Sequence, residues 1–170
     1  ALSDNQLAGE IKKSNKQAFE TLYFRYYKLL FHYTVIRVQS SETAQEILQE
    51  IFKRLWQNRR KLNTKKLIKG YLFRIANNLI IDSYRKKHVQ NSYFDRPKEL
   101  PEIHSKENLD FKALFNIAME KLPEECRIVF SLHHIKNYTY LEIAEMCLVS
   151  KRTVEKRMKK AILMLREQLG

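Results

Sequence analysis

Between residues 44 and 56 the apolar side chains Ala44, Ile47, Leu48, Ile51, Phe52, Leu55 and Trp56 recur at steps of three and four without a miss. That spacing gathers them on one side of a 3.6-residue helix, so the segment predicts a helix with a buried stripe that neighbouring elements must cover. The preceding chain supplies candidates. Asp4 is placed to cap a short helix carrying Leu7 and Ile11, and Asn15 a longer one with Phe19, Leu22, Tyr23, Tyr26, Leu30 and Tyr33 on one face. A turn at Gln39, Ser40 and Ser41 follows. Beyond the stripe, a polar loop from Asn58 to Lys66 leads into a fourth helix marked by Ile68, Tyr71, Leu72, Ile75, Leu79 and Ser83. Its closing cations, Arg85, Lys86 and Lys87, suit a helix C-terminus. With three Gly and three Pro in 170 residues, a turn-rich β architecture has little to build on.

From Val89 to Asn108 the periodicity fades, polar residues dominate and Pro97 and Pro101 appear, the composition of an interdomain linker. Leu114, Ile117, Ala118 and Leu122 then mark one helix. Pro123, Glu124 and Glu125 open another with Ile128, Val129, Leu132 and Ile135. Thr139 and Glu142 form a T-x-x-E capping box before a short helix with Leu141, Ile143, Ala144 and Met146. Leu148, Val149 and Ser150 make a tight turn, and Ser150 caps a last helix with Val154, Met158, Ala161 and Leu165 inward. The expected fold is all-α. Two small helical domains, 1–88 and 109–170, are joined by a flexible linker over 89–108, and the second is a four-helix domain with a helix-turn-helix.

Charge is as unevenly spread as the apolar pattern is regular. Residues 53–87 hold twelve Lys and Arg against the single acid Asp82, +11 of a net +13. So local a cationic field asks for a polyanion. The cations are interleaved with Tyr71, Phe73, Asn77, Asn78 and Tyr84, and aromatics that stack with amides that read base edges suit single-stranded or melted nucleic acid. The alternative puts Tyr71 and Phe73 in the core and leaves the lysines solvating a loop. Residues 139–166 offer a second contact. Lys151, Arg152, Glu155, Lys156, Lys159 and Lys160, with Thr153, face outward from the last helix, as a helix entering the major groove requires.

Other chemistries find little support. Cys126 and Cys147 form neither a CxxC nor a Cys/His cluster, so neither a disulfide framework nor a zinc site is expected. His133 and His134 are adjacent on a helix and diverge by about 100°, unlike the i, i+4 pairs of metal-binding helices. His32 reads as a core-edge residue. No nucleophile, general acid–base pair or glycine-rich phosphate cradle stands out, and neither a cofactor nor a metal is expected. No apolar run approaches the roughly 20 residues that span a bilayer, and the N-terminus has no signal-peptide pattern, so a soluble, cytoplasmic protein without membrane insertion is expected.

The segment ETAQEILQEIFKRLWQNRRKL…IKGYLFRIANNLIIDSYRKK resembles the first conserved domain of extracytoplasmic-function RNA polymerase sigma factors, and LPEECRIVFSLHHIKNYTYLEIAEMCLVSKRTVEKRMKKAILMLRE resembles their second. The resemblance covers roughly residues 15–88 and 109–168, in the family's order. It implies a transcription initiation factor that binds core RNA polymerase and promoter DNA. Docking on the coiled coil of the polymerase's largest subunit falls to Glu46, Gln49, Glu50 and Lys53. Capture of the melted minus-ten element falls to the loop and helix residues Arg59, Arg60, Lys61, Asn63, Lys66, Tyr71, Arg74, Asn77, Asn78 and Arg85. Duplex reading at the minus-thirty-five element falls to Ser150, Lys151, Arg152, Thr153, Lys156, Arg157 and Lys160. An anti-sigma factor, often membrane-anchored in this family, is the implied regulatory partner. Three positions depart from the family pattern: Leu148 stands where Gly is usual, and Thr43 and Gln45 replace acids. The rival expectation is a conventional dimeric helix-turn-helix regulator of duplex operators, which leaves residues 44–87 without a role.

Overall fold

A computed structural model describes residues 1–90 and 109–170. The chain divides into two compact units, one built on Ala1–Lys87 and the other on most of His88–Gly170. Among the described residues every regular element is helical.

The first unit holds α1 (Asp4–Lys12), α2 (Lys16–Val38), α3 (Ser41–Gln57) and α4 (Ile68–Gln90). The 44–56 stripe of α3 is its centre: Ala44, Ile47, Leu48, Ile51, Phe52 and Leu55 are all buried. Leu22, Tyr26, Leu30 and Tyr33 of α2 and Leu7 and Ile11 of α1 join the same core. Caps explain the boundaries. Asn15 Oδ1 accepts from the Ala18 amide and Ser40 Oγ from the Thr43 amide, each satisfying an orphan donor of a first turn. The α1 cap is Ser3, in a capping box with Gln6, rather than Asp4, whose carboxylate instead accepts from Arg25 and Tyr26.

Several apolar faces differ from expectation. In α4 the buried side chains are Ile68, Leu72, Phe73, Ile75, Ala76 and Ile80, while Tyr71, Leu79 and Ser83 are only partly covered. The helix runs through Gln90, two residues into the stretch expected to be linker; residues 91–108, with Pro97 and Pro101, lie outside the described residues.

The second unit holds α5 (Leu109–Glu120), α6 (Glu124–Phe130) continued by a π-helical turn (Ser131–Ile135), α7 (Tyr140–Cys147) and α8 (Lys151–Leu169). Ala118 and Met119 of α5, with Leu122 just beyond it, pack with Cys126 of α6 and with Ala161 and Leu165 of α8. Leu114 and Ile117 are exposed, the second departure: α5 is apolar round much of its girth, so spacing alone does not select the covered face. Ile135 is exposed because the π turn is wider than an α turn and rotates the end of the helix away from the α-helical register. Leu141 also faces solvent, whereas Ile143, Ala144 and Met146 are buried as expected. The capping box forms, with Thr139 Oγ1 accepting from the Glu142 amide and the Glu142 carboxylate from the Thr139 amide.

Candidate nucleic-acid interface

Loop 58–67 is polar in sequence yet anchored. A 3-10 turn (Arg59–Lys61) continues α3, and Leu62 is buried beside it. The Arg59 guanidinium lies 4.3 Å from the Trp56 ring centre, and donates to Ser14 Oγ at 2.9 Å and the Trp56 carbonyl at 2.8 Å. Arg59 is thus spent on shaping the loop, a cation–π contact that charge counting cannot distinguish from a DNA contact. Lys12 Nζ donates to the Leu62 carbonyl, tying the loop to α1. Arg60, Lys61, Asn63, Lys65 and Lys66 remain exposed or partly so.

Between this loop and the first turns of α4 lies a cavity of about 470 Å³, its walls including Lys61, Asn63, Lys66, Tyr71 and Arg74. Five of the residues expected to handle the minus-ten strand are therefore brought together. Tyr71 is half-buried and lines the cavity, and burial lifts its phenol above the ordinary range, so it stays neutral. Arg74, Asn78 and Arg85 are exposed further along α4, Arg85 lying 3.7 Å from Asp82.

Asn77 is placed differently from its neighbours. Its Oδ1 accepts from the Tyr33 hydroxyl at 2.6 Å and from Arg37 Nη1, while its Nδ2 donates to the Phe73 carbonyl at 2.9 Å. Phe73 is fully buried against Tyr33, and the Tyr84 hydroxyl donates to the Arg37 carbonyl. Of the aromatics and amides along α4, Phe73, Asn77 and Tyr84 make internal contacts, whereas Asn78 is exposed and Tyr71 lines the cavity.

On α3, Glu46, Gln49 and Lys53 are exposed and Glu50 sits beside them, half-covered. Glu50 accepts from Arg54 Nε at 2.8 Å and pairs with Lys53 Nζ at 3.6 Å, and the Arg54 hydrogen bond holds its carboxyl below the usual range.

In the second unit, Ser150 Oγ accepts from the Thr153 amide at 3.1 Å and lies 2.9 Å from Thr153 Oγ1, so both residues build the start of α8. Lys151, Arg152, Lys156, Lys159 and Lys160 are exposed, Lys151 within 3.8 Å of Glu155. Arg157 turns back to Glu125 of α6 at 3.0 Å and braces the helix. Leu148, between α7 and α8, has φ 56°.

Residues 22–89 match the sigma-70 region 2 family, and residues 117–165 match sigma-70 region 4. Together they take in more than half of the chain, in the order expected. The chain belongs to the extracytoplasmic-function sigma factors. It is similar to the ECF RNA polymerase sigma factor SigW of Bacillus subtilis, 26% identical with 94% of this chain and 93% of that one covered. It is likewise similar to the ferric citrate uptake sigma factor FecI of Escherichia coli, 26% identical over 85% and 86%. The fold is that of CnrH, solved with the cytosolic domain of CnrY (TM-score 0.65, 22% identity, 98% of this chain and 96% of that one). RpoE of Bartonella quintana, solved with the anti-sigma factor NepR, has it too (TM-score 0.59, 20%, 89% and 96%). A sigma factor is a transcription initiation factor that directs RNA polymerase to promoters, and sigma factors are not enzymes. The rival duplex-binding regulator has no place for the region 2 match. No helix among the described residues is long and apolar enough to cross a membrane.

Proposed function

We propose that residues 1–88 are the domain of this sigma factor that docks on core polymerase and holds the melted minus-ten strand, and that residues 109–170 read the minus-thirty-five duplex, with 89–108 linking them. The observation that carries this reading is the cavity of about 470 Å³ where Lys61, Asn63, Lys66, Tyr71 and Arg74 converge. Its size is that of sites which enclose small organic groups, and its chemistry is what a flipped base needs. Tyr71 supplies a stacking face, Asn63 an amide for the base edge, and Lys61, Lys66 and Arg74 hold the flanking phosphates. Arg60, Asn78 and Arg85 extend the track, and Arg59 supports the loop from within.

On α3, Glu46, Gln49, Glu50 and Lys53 form the polymerase-docking line. In α8, Lys151, Arg152, Lys156 and Lys160 meet the major groove and its phosphates, while Ser150, Thr153 and Arg157 fix the pose of the helix. This chain makes and breaks no covalent bond; the polymerase supplies the chemistry, and the sigma factor works in the cytoplasm, where polymerase is. The partners with which CnrH and RpoE were solved support an anti-sigma factor for this chain as well, covering the polymerase-docking surface.

Tyr71→Ala tests the cavity. Base–aromatic stacking is worth about 1–3 kcal/mol per base, so holoenzyme carrying this change should bind a single-stranded non-template minus-ten oligonucleotide roughly 5- to 150-fold more weakly, with polymerase affinity unchanged. Undiminished oligonucleotide affinity would remove the base-capture role.

A further inference from the structure

We propose that Arg37 and Tyr33, on α2, are positioning residues for base reading by α4: they grip Asn77 and thereby fix the rotation of the helix that carries Tyr71, Arg74 and Asn78. The proposal rests on the function proposed for α4, whose outer face meets unpaired bases. Neither Arg37 nor Tyr33 lines the cavity between loop 58–67 and α4.

The grip is a connected set of polar contacts. Arg37 Nη1 donates to the Tyr33 hydroxyl at 2.9 Å and also to Asn77 Oδ1, which the Tyr33 hydroxyl reaches at 2.6 Å. The guanidinium carbon lies 5.6 Å from the Tyr33 ring centre. Tyr33 is 2% exposed, its ring edge-on to Phe73 at 5.2 Å, and burial keeps its phenol neutral and able to donate. The Asn77 amide nitrogen donates to the Phe73 carbonyl. Seven residues beyond Asn77 on α4, the Tyr84 hydroxyl donates to the Arg37 carbonyl, a second tie to the end of α2. Polar networks shielded from water in this way act as a unit, because removing one member strands the others; all of these bonds are partly buried.

Phe73, Asn77 and Tyr84 follow one another at steps of four and seven, so they share one face of α4. Tyr71, Arg74 and Asn78, at steps of three and four, share another, about 100° round the axis. A rigid helix converts a loss of grip on the first face into a displacement of the second. A turn of about 20° carries side-chain tips on a helix about 10–12 Å across through about 2 Å, enough to break a base-edge hydrogen bond.

The test uses the full chain with core polymerase and a promoter mapped by run-off transcription. Binding of the non-template minus-ten oligonucleotide is compared with that of versions substituted base by base. Wild type should prefer the natural sequence by roughly tenfold or more at the captured base. In Arg37→Met and in Tyr33→Phe that preference should flatten to within about twofold, with polymerase affinity retained. A structural role alone would weaken all sequences equally, so variants that keep the wild-type preference while affinity or melting temperature falls would overturn the proposal. If Arg37→Met does not fold, Tyr33→Phe, which removes one hydroxyl, decides it. A wild-type holoenzyme without any base preference would sink the base-reading role of α4 itself, an outcome distinct from wild-type preference surviving in both variants.

Discussion

Leu148 follows α7 in the left-handed region, at φ 56°, where a side chain crowds its own backbone. The helix end is a Schellman turn, with the Val149 amide on the Ala144 carbonyl at 3.0 Å and the Leu148 amide on that of Glu145 at 3.4 Å, a motif that usually places glycine where Leu148 stands. Leu148 is 47% exposed, so the strain is not offset by a deeply buried side chain. Leu148→Gly should therefore raise the stability of the protein by about 1 kcal/mol, read as a higher denaturation midpoint; a lower one would mean that its contacts outweigh its strain. The sequence anticipates this position from the resemblance, but it does not reveal that Ser14, Gln39 and Asn137 also adopt positive φ. Side-chain destinations are the least legible of all. Arg59 looks like its basic neighbours yet packs on Trp56, and Asn77 looks like Asn78 yet faces inward, because composition says nothing about which of two adjacent residues a helix turns to its core.

Among the elements, α3 is the most readable and α5 the least. The α3 stripe alternates cleanly with polar residues, so one face alone can be buried. In α5 and α4 apolar side chains lie on more than one face, and tertiary packing makes the choice. The π turn after α6 has no signature in the residues that form it, and Ile135 is misplaced for that reason. The clean face of α3 also makes its polar side testable. Glu50 is held charged by Arg54 and Lys53, so Glu50→Lys replaces a paired carboxylate on the docking line with a cation beside those two. Polymerase affinity should fall roughly tenfold or more while the helix content and melting profile stay near wild type. Unchanged affinity would count against α3 as the docking face.

For the whole molecule, fold class and order of domains are legible because stripes, caps and the two matched segments agree with one another. The +11 concentrated in 53–87 is legible as a demand for a polyanion, and the structure divides that charge between exposed cations along the loop and α4 and at least one, Arg59, turned to internal use. What charge cannot supply is selectivity, which we assign to the cavity at Tyr71 and to the grip of α2 on α4. At the centre of this assignment, the chain gives core polymerase a choice of promoters. Genome-wide run-off transcription with purified chain and core polymerase measures that choice directly: we predict a defined set of start sites sharing upstream elements, absent with core polymerase alone, and transcripts no different from those of core alone would contradict it.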